Sequence, residues 1–382
     1  MRICLVGGAL QGMEAAYLAR RAGYETLVID RREDAPAFSL ADGCAVLDPI
    51  ESPREALALM GDCDAVLPTC ENLALLECLS RLLSDYGGRF LFDIDAYRIS
   101  RSKAESNAVM SRLGVPMPAP WPECGFPAVV KPSVSSGSEG VALARDAEGL
   151  ARGIAGVESS GGTPVVQEYV DGTCVSMEFI GDGKEYAGYV TTEIIAAKDY
   201  DCKRVECRPG ILPPGSDTEL RGIGLAISAH LGLDGILDLE AVHTPKGLRV
   251  LEMDARLPSQ TPAAVLAATG INLLREMVAG SWGKPRAGAS VYEHYVVRDG
   301  AMESCGEGEF ANVRAPRLER GLFGADEMIT DYVGGAGEWR FTMINGGATM
   351  EAVEAKRKAC LRRIVDEESI TRIIDEGPGG PA

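Results

Sequence analysis

Two stretches near the middle of the chain alternate between apolar and charged residues, which is the period-2 pattern of a strand with one buried face. The first covers residues 236–242 (ILDLEAV), and the second covers residues 250–257 (VLEMDARL). The seven residues between them include a proline and a glycine, so the pattern favours an antiparallel hairpin. One predicted face of this hairpin carries Asp238, Glu240, Val250, Glu252, Asp254 and Arg256.

Four carboxylates on one sheet face repel one another unless a cation lies among them. A divalent cation is the natural candidate, because Mg²⁺ prefers oxygen ligands and takes one or two carboxylates together with substrate phosphates and water. The prediction depends on the strand register, since the acids meet only if Glu240 lies opposite Glu252. The alternative is a solvated strand face on which Arg256 neutralises one of the acids.

The N-terminal pattern predicts a βαβ unit, with strands over residues 2–6 and 26–30 and a helix over residues 13–22. Two further short strands are predicted over residues 45–48 and 65–68. Open α/β sheets bind ligands beyond the carboxyl ends of their strands, so polar residues at these ends are candidates for a substrate site. These candidates are Gln11, Glu71 and Asn72. Glu71 and Asn72 have an alternative role as caps of the helix that follows them.

The turn after the first strand carries an incomplete dinucleotide fingerprint. Gly7 and Gly12 are present, but Ala9 occupies the middle glycine position of G-x-G-x-x-G. A nicotinamide-dependent oxidoreductase would use these glycines together with Asp30 at the end of the second strand. That interpretation leaves the acidic hairpin without a role.

A strand lysine and a flexible loop follow one another after a proline-rich linker. Residues 100–113 predict a helix, and four prolines between positions 116 and 122 mark a domain boundary. Residues 126–140 (FPAVVKPSVSSGSEG) then place Lys131 on an apolar strand directly before a Ser/Gly loop. An ammonium group beside a loop with many free N–H groups suits a polyphosphate. The alternative is a surface turn beside an ordinary lysine.

Residues 164–180 predict a strand, a turn at Asp171 and Gly172, and a second strand that carries Glu178. Such a segment offers backbone groups to the edge of an adenine ring, but it is equally consistent with a plain hairpin. Helices are predicted over residues 217–230, 262–279 and 352–367.

Composition limits the class of protein. The 382 residues have a formal net charge of -18, which argues against a nucleic-acid partner because phosphate binding needs clustered Lys and Arg. The eleven cysteines contain no CxxC pair, and no apolar run approaches the ~20 residues of a membrane span. We therefore expect a cytoplasmic protein with reduced thiols and no membrane contact.

The order of these parts resembles the ATP-grasp family. The resemblance rests on the N-terminal α/β region, Lys103, Lys131 with its Ser/Gly loop, the QEYV segment at 167–170 and the E-x-D-x-R strand at 252–256. It implies an α/β (α+β) chain with a Rossmann-like pre-ATP-grasp domain at 1–98, an ATP-grasp domain at 99–290 and a small C-terminal α/β domain at 291–382. The ATP-grasp part would divide into subdomains at about 121–185 and 186–290.

The resemblance also implies roles for individual residues, with ATP and Mg²⁺ as cofactors. Lys103 and Lys131 would bind the ATP phosphates beneath a loop that includes Ser133, Ser136 and Gly137. Adenine would contact Gln167, Glu168 and the backbone of Val170, although many members of the family carry Glu and Lys at the first two positions. The implied Mg²⁺ ligands are Asp238, Glu240, Glu252 and Asp254.

Within the family, LVGGALQGMEAAYLA and E-x-D-A-R-x-P-S-Q-T-P resemble the ligases of pyrrolysine biosynthesis. This implies that an acyl phosphate of 3-methyl-D-ornithine, or of D-ornithine in its place, reacts with the ε-amine of L-lysine. Arg256 and Lys131 would act in catalysis. The implied substrate contacts are Gln11, Glu71, Asn72, Glu178, Arg256, Ser259, Gln260 and Thr261.

Three alternatives stay open at this stage. A purine-pathway ATP-grasp ligase would need additional Arg or Lys in the N-terminal loops, where Gln11 and Glu71 stand. An oxidoreductase belongs to another class, and a non-catalytic binding protein would need neither Lys131 nor Glu252. The C-terminal third is compatible with a homodimer.

Overall fold

The computed structural model describes residues 1–135, 137–197, 200–280 and 283–375. Its N-terminal region is a parallel four-stranded sheet of order β3-β2-β1-β4 with helices packed against it. The strands are β1 (Arg2–Val6), β2 (Glu25–Asp30), β3 (Gly43–Val46) and β4 (Ala65–Pro68). The helices are α1 (Leu10–Ala22), α2 (Pro53–Gly61) and α3 (Leu73–Tyr86). Helix α1 ends at Ala22, as predicted, and Gly23 follows it in a left-handed conformation.

A second, three-stranded antiparallel sheet of order β6-β5-β7 forms a small separate layer. Two helices lead into it, and the second begins at Lys103 because Ser102 caps it, three residues later than predicted. This layer and its leading helices comprise α4 (Ile94–Ser100), α5 (Lys103–Arg112), β5 (Ala128–Pro132), β6 (Ala142–Ala144), α6 (Ala147–Ser159) and β7 (Pro164–Glu168).

The third sheet has twelve strands, nine of which follow the order β13-β12-β8-β10-β11-β14-β18-β17-β16. Its strands are β8 (Thr173–Asp182), β9 (Tyr186–Gly188), β10 (Thr192–Ala196), β11 (Cys202–Cys207), β12 (Asp234–Thr244), β13 (Gly247–Asp254), β14 (Ala289–Arg298), β15 (Ala301–Ser304), β16 (Arg317–Glu319), β17 (Glu327–Thr330), β18 (Glu338–Gly347) and β19 (Arg372–Ile374). The associated helices are α7 (Pro214–Leu231), α8 (Thr261–Thr269), α9 (Leu273–Ala279), α10 (Glu307–Phe310) and α11 (Met350–Glu367).

The predicted α/β (α+β) class is confirmed, because a parallel N-terminal sheet precedes a large antiparallel one. The plain-hairpin alternative for residues 164–180 is wrong: β7 pairs with β5, whereas β8 pairs with β12. Residues 169–172 therefore join two different sheets. The division at 290 and 291 stays a prediction, since the large sheet continues through β14.

The hairpin itself differs from the prediction in two ways. Its strands extend to a turn at Pro245 and Lys246, so the connection is shorter than the seven residues expected. A register shift between Glu240 and Ala241 then turns Val250 into the core, where it is 0% exposed, instead of onto the acidic face. A β-bulge adds one residue to one strand and thereby reverses the side on which later residues lie.

The core holds the acidic hairpin in place from behind. Leu237, Leu239 and Met253 are fully buried, and they belong to the same cluster as Leu220 and Ile227 of α7. On the other side of the large sheet, α8 and α9 share a core cluster with α1. The predicted helix over residues 262–279 is in fact these two helices, because Gly270 ends the first in a left-handed conformation. The N-terminal region thus packs beside the acidic face.

Within the described parts of the chain, no helix is long and apolar enough to cross a membrane.

Candidate active site

Four carboxylates share one face of the β12–β13 hairpin, in the register that the prediction required. Asp238 lies opposite Asp254, and Glu240 lies opposite Glu252. On the next strand, Ser176 is paired with Glu240, and its hydroxyl donates a hydrogen bond to Asp238. The period-2 pattern therefore predicted the acidic face correctly apart from Val250.

Two lysines approach this face from the second sheet and its leading helix. Lys103 Nζ lies 3.0 Å from Glu252 Oε2 and also donates to the carbonyl of Ser135 at 3.0 Å. Burial lowers the pKa of Lys131, and the nearby charge of Glu252 offsets this effect only in part. Burial acts on Lys103 in the same direction, but there the ion pair with Glu252 outweighs it, so the pKa of Lys103 is raised. The positive charge at Lys131 is therefore less well compensated than that at Lys103, and it suits an anionic ligand.

Burial also controls the ionisation of the acids. It raises the pKa of Asp238 to about 6, that of Asp254 to about 7 and that of Glu240 well above its usual range. Burial acts on Glu252 in the same direction, but Lys103 and Lys131 outweigh it and hold the pKa of Glu252 below its usual value. Full ionisation of the face thus calls for additional positive charge.

The carboxylates of the hairpin fit Mg²⁺ on the condition that phosphate oxygens and water complete its coordination. No group of three or more His, Cys, Asp or Glu among the described residues is arranged to hold a metal ion. Magnesium usually takes only one or two carboxylates and completes its octahedron with phosphate oxygens and water. The opposed pairs on the hairpin meet that requirement.

The predicted adenine contacts lie where the two sheets meet. Gln167 is 6% exposed, and its Oε1 has no hydrogen-bond donor among the residues that the structure describes. Glu168 Oε2 accepts a hydrogen bond from the backbone N–H of Ala119 at 3.2 Å, which ties this carboxylate to the proline linker. Val170 is the second residue after β7, in the connection to β8. The unpartnered Gln167 oxygen makes this residue better suited to a ligand than Glu168.

The predicted residues of the Ser/Gly loop differ in their positions. Ser133 is 6% exposed, and its hydroxyl accepts a hydrogen bond from the N–H of Ala104 at 3.3 Å, so it joins the loop to α5. Gly137 has a φ of 56° and lines the large cavity described below. Ser136 lies outside the described residues.

A cavity of about 630 Å³ extends from the carboxyl ends of the N-terminal strands to the end of the acidic hairpin. Gln11, Glu71 and Asn72 line it as predicted, together with Arg256 and Ser259. The sequence argument against a sugar-phosphate site overlooked two further lining residues, Arg31 and Arg32. Asp30 accepts hydrogen bonds from the backbone N–H of Arg32 at 2.8 Å and of Gly8 at 2.6 Å, and its pKa is lowered because these bonds outweigh burial.

Arg256 joins the cavity to the acidic hairpin. Its Nε lies 2.7 Å from Glu71 Oε1, and its Nη2 lies 3.5 Å from Asp254 Oδ2. The Gln11 side-chain amide donates to the carbonyl of Leu257, one residue further along. Asn72 Oδ1 accepts from the N–H of Leu75 at 3.1 Å, which is the helix-cap role that the sequence left open.

The remaining predicted substrate residues lie at different depths. Ser259 Oγ donates to Glu307 Oε2 at 2.8 Å at the cavity wall. Gln260 and Thr261 are 1% and 4% exposed, so both lie behind that wall. Glu178 is 0% exposed, does not line the cavity and lies opposite Asp238 in the strand register. Burial raises its pKa to about 8.

Glu307 is a cavity residue that sequence reasoning missed. It lies on α10, a four-residue helix in a glycine-rich segment without regular periodicity. The only local signal is its pair of flanking glycines: a Cβ at Gly306 would come within 2.1 Å of Asp201, another cavity residue. Close backbone approach is a common reason for glycine beside a site.

The hairpin carries opposed carboxylates, one lysine comes from the adjoining small sheet, and another comes from the helix that leads into it. Together with the neighbouring Rossmann-like region, this arrangement defines an ATP-grasp enzyme. Residues 100–259 match the ATP-grasp domain family. Along nearly its whole length, the chain resembles proteins named 3-methyl-D-ornithine--L-lysine ligase. The relative from Methanosarcina acetivorans is 34% identical over 95% of this chain and 98% of its own length, and that from Methanosarcina barkeri is 36% identical over 93% and 95%. The chain therefore belongs to this ligase family.

Solved structures support the fold independently. The biotin carboxylase domain of Hydrogenobacter thermophilus 2-oxoglutarate carboxylase, crystallised as a dimer with MgADP, superimposes with a TM-score of 0.73 at 15% identity, over 94% of this chain and 89% of that one. The ADP complex of N5-carboxyaminoimidazole ribonucleotide synthetase gives a TM-score of 0.70 at 14% identity, over 96% and 97%. At these identities the likeness concerns the fold alone.

Proposed function

We propose that this ATP-grasp ligase joins the carboxylate of (3R)-3-methyl-D-ornithine to the ε-amine of L-lysine through an acyl phosphate, in pyrrolysine biosynthesis. The observation that carries the proposal is the 34–36% identity to ligases of that name along nearly the whole chain. The acid-rich cavity beside Arg256 supports it, because each of the two substrates carries two ammonium groups.

The first step needs an anionic carboxylate to approach the anionic γ-phosphate. Lys103 and Lys131 would bind the phosphates, and Gln167 and the backbone of Val170 would bind adenine. Carboxylates of the hairpin would hold Mg²⁺, which would supply charge neutralisation for the phosphates. A carboxylate oxygen then attacks the γ-phosphorus, the bond to the β-phosphate oxygen breaks, and ADP leaves.

The second step forms the amide. The ε-amine of lysine, with a free pKa of about 10.4, loses a proton and attacks the carbonyl carbon, and phosphate leaves. Arg256 lies at the junction of the cavity and the hairpin, where its guanidinium would stabilise the negative charge that develops on the acyl phosphate. The Ser/Gly loop around Gly137 would exclude water from that intermediate.

The substrate end of the cavity carries an excess of acids. Glu71, Asp201 and Glu307 line it, and Arg256 is already paired with Glu71. This balance suits diammonium substrates. Arg31 and Arg32 also line the cavity, where the sugar phosphate of a purine-pathway reaction would need cations, but Arg32 is already paired with Asp30 at 3.3 Å. The oxidoreductase alternative leaves the opposed carboxylates of the hairpin and their contact with Lys103 without a role.

We also infer a cytoplasmic location and a homodimer. The dimer of the Hydrogenobacter domain supports the second inference only by analogy of fold. The division into domains at 1–98, 99–290 and 291–382 belongs to the same proposal.

The test is ADP release by the purified protein with MgATP and L-lysine alone, D-ornithine alone, or both. We expect release that requires both amino acids, together with a product of dipeptide mass. Binding of ATP without stimulation by any pair of diamino acids would leave the ATP-grasp class intact and refute the substrate assignment.

A further inference from the structure

A carboxylic acid is buried in the middle of the first helix. Glu14 lies on α1 and is 2% exposed, and residues 12–19 of the helix are buried around it. Removing a carboxyl group from water is unfavourable unless hydrogen bonds replace the lost hydration. The partners of Glu14 therefore indicate what this side chain does.

Both partners come from distant parts of the chain. Glu14 accepts hydrogen bonds from the backbone N–H of Gln260 and from the phenol of Tyr292, at sequence separations of 246 and 278 residues. Gln260 directly precedes α8, and Tyr292 lies on β14. One side chain thus connects the N-terminal region, the loop after the acidic hairpin and the large sheet.

The backbone at Gln260 needs this support. Its φ of 69° and ψ of −56° lie in a region that side-chain-bearing residues rarely adopt. Such a conformation costs about 1–3 kcal/mol and persists only where the surroundings hold it in place. Glu14 binds the N–H of the strained residue itself, while the Gln260 side-chain amide donates to Glu307 at 3.2 Å and to the carbonyl of Cys202 at 3.3 Å.

The loop that Glu14 contacts at Gln260 also carries two residues of the cavity wall. We define the substrate loop as residues 256–260. Arg256 and Ser259 lie in it and line the cavity, and Ser259 donates to Glu307 there. A shift in the backbone at Gln260 would move Ser259 directly and Arg256 through the intervening residues.

We propose that Glu14 is a positioning residue for the ligase reaction, and that its hydrogen bond to the Gln260 N–H keeps Arg256 and Ser259 directed into the cavity. This rests on the proposed function. Glu14 itself does not line the cavity, so it acts only through the loop. Burial raises its pKa to about 8, which is consistent with a neutral acid that glutamine can imitate.

The kinetic test compares Glu14→Ala with Glu14→Gln. We expect Glu14→Ala to lower kcat about 10- to 100-fold, because small misplacements of catalytic groups have effects of that size. The KM for ATP should stay within about twofold, since the predicted nucleotide contacts come from other elements. Glu14→Gln keeps an acceptor for the Gln260 N–H and should retain activity within about threefold of the wild type.

A matched control removes another buried acid beside the same helix. Glu276 is 6% exposed and accepts hydrogen bonds from Tyr189 at 3.5 Å and from the N–H of Gly283 at 2.5 Å, without contacting the substrate loop. Glu276→Ala should lower stability but leave kcat of the folded fraction within about twofold. An equal loss of kcat in this variant would mean that Glu14 has only a structural role.

A second measurement does not depend on the substrates. Hydrogen exchange at the Gln260 amide should be slow in the wild type and in Glu14→Gln, and faster in Glu14→Ala. Unchanged protection in Glu14→Ala, wild-type kcat in that variant, or a Glu14→Gln enzyme as impaired as Glu14→Ala would each overturn the inference. If the wild type shows no turnover with diamino acids, the proposed function fails, and the exchange comparison alone decides whether Glu14 holds the loop.

Discussion

The phosphate side of the site and the substrate side are assembled in different ways. On the phosphate side, the acids alternate along two adjacent strands, and Lys103 reaches Glu252 at 3.0 Å from the start of a helix. On the substrate side, Glu71, Arg256 and Glu307 come from three loops or helix ends far apart in the chain. Regular strands repeat every second residue, so their charges are visible in sequence, whereas a cavity wall made of loops has no period.

The largest effect is expected on the phosphate side, in Glu252→Gln. This change removes the charge that pairs with Lys103 and half of an opposed carboxylate pair. We expect kcat for ADP release to fall about 100- to 1,000-fold, as when a single electrostatic contact to a transition state is lost. Lys246→Gln, in the exposed turn of the same hairpin, is the control and should behave as the wild type.

The comparison would break down if Glu252→Gln also abolished the binding of D-ornithine or L-lysine, measured by calorimetry without nucleotide. That result would mean that the two sides of the site are not separable.

On the substrate side, Arg256→Lys should have the next largest effect. The guanidinium contacts Glu71 through Nε and Asp254 through Nη2, and a single ammonium group cannot reproduce this geometry. We expect kcat/KM for D-ornithine to fall about 10- to 100-fold, with the KM for ATP nearly unchanged.

Arg249→Lys is the matched control, because Arg249 lies on β13, the strand that leads into the substrate loop, but not on the cavity wall. A large rise in the KM for ATP in Arg256→Lys would place this residue on the phosphate side instead.

The same distinction explains what the sequence could predict. The acidic face, the strand that carries Lys131 and the βαβ unit follow from periodicity and glycine positions, and all are present. Val250 was predicted wrongly because a bulge has no signature in alternation. The pairing of β7 and β8 in different sheets depends on long-range partners that a local pattern does not contain.

Polar residues that lie inside the protein or in irregular segments were also not identified from the sequence. Glu14 interrupts an apolar helix, and its partners lie 246 and 278 residues away, so the local pattern does not reveal its role. Glu307 lies in a short helix between glycines, where no amphipathic pattern can form. In both cases the role becomes visible only through contacts between distant segments.

The buried carboxyl group of Glu14, behind the substrate side of the site, should also make the stability of the protein depend on pH. Burial raises the folded-state pKa of Glu14 to about 8, against about 4.3 in an unfolded chain. Between pH 6 and pH 7, Glu14 is therefore protonated in the folded state and ionised in the unfolded state. Its contribution to the free energy of unfolding falls by about 1.4 kcal/mol as the pH rises over this range. Glu14→Gln should remove this loss, measured by urea denaturation at the two pH values.

His294 acts in the opposite direction and is present in both proteins. Burial lowers its pKa to about 3, so its contribution to stability rises with pH as the unfolded state loses a proton. The difference between wild type and Glu14→Gln isolates the carboxyl group. Glu158→Gln changes an exposed acid and should leave the pH dependence unaltered. The same slope in wild type and Glu14→Gln would mean that Glu14 is ionised in the folded protein.

The smallest effect on activity is expected for Asn72. This residue is located on the substrate side, but its side-chain contact stabilises a helix. This residue lines the cavity, but its Oδ1 accepts a hydrogen bond from the N–H of Leu75 and so caps α3. Asn72→Ala should lower the free energy of unfolding by about 1 kcal/mol, as for other helix caps, and change kcat/KM for either amino acid by less than about threefold. Asp146→Ala removes the cap of α6 far from the cavity and should match it in stability. A loss of activity above about tenfold at unchanged stability would instead make Asn72 a substrate ligand, and the cap would be incidental.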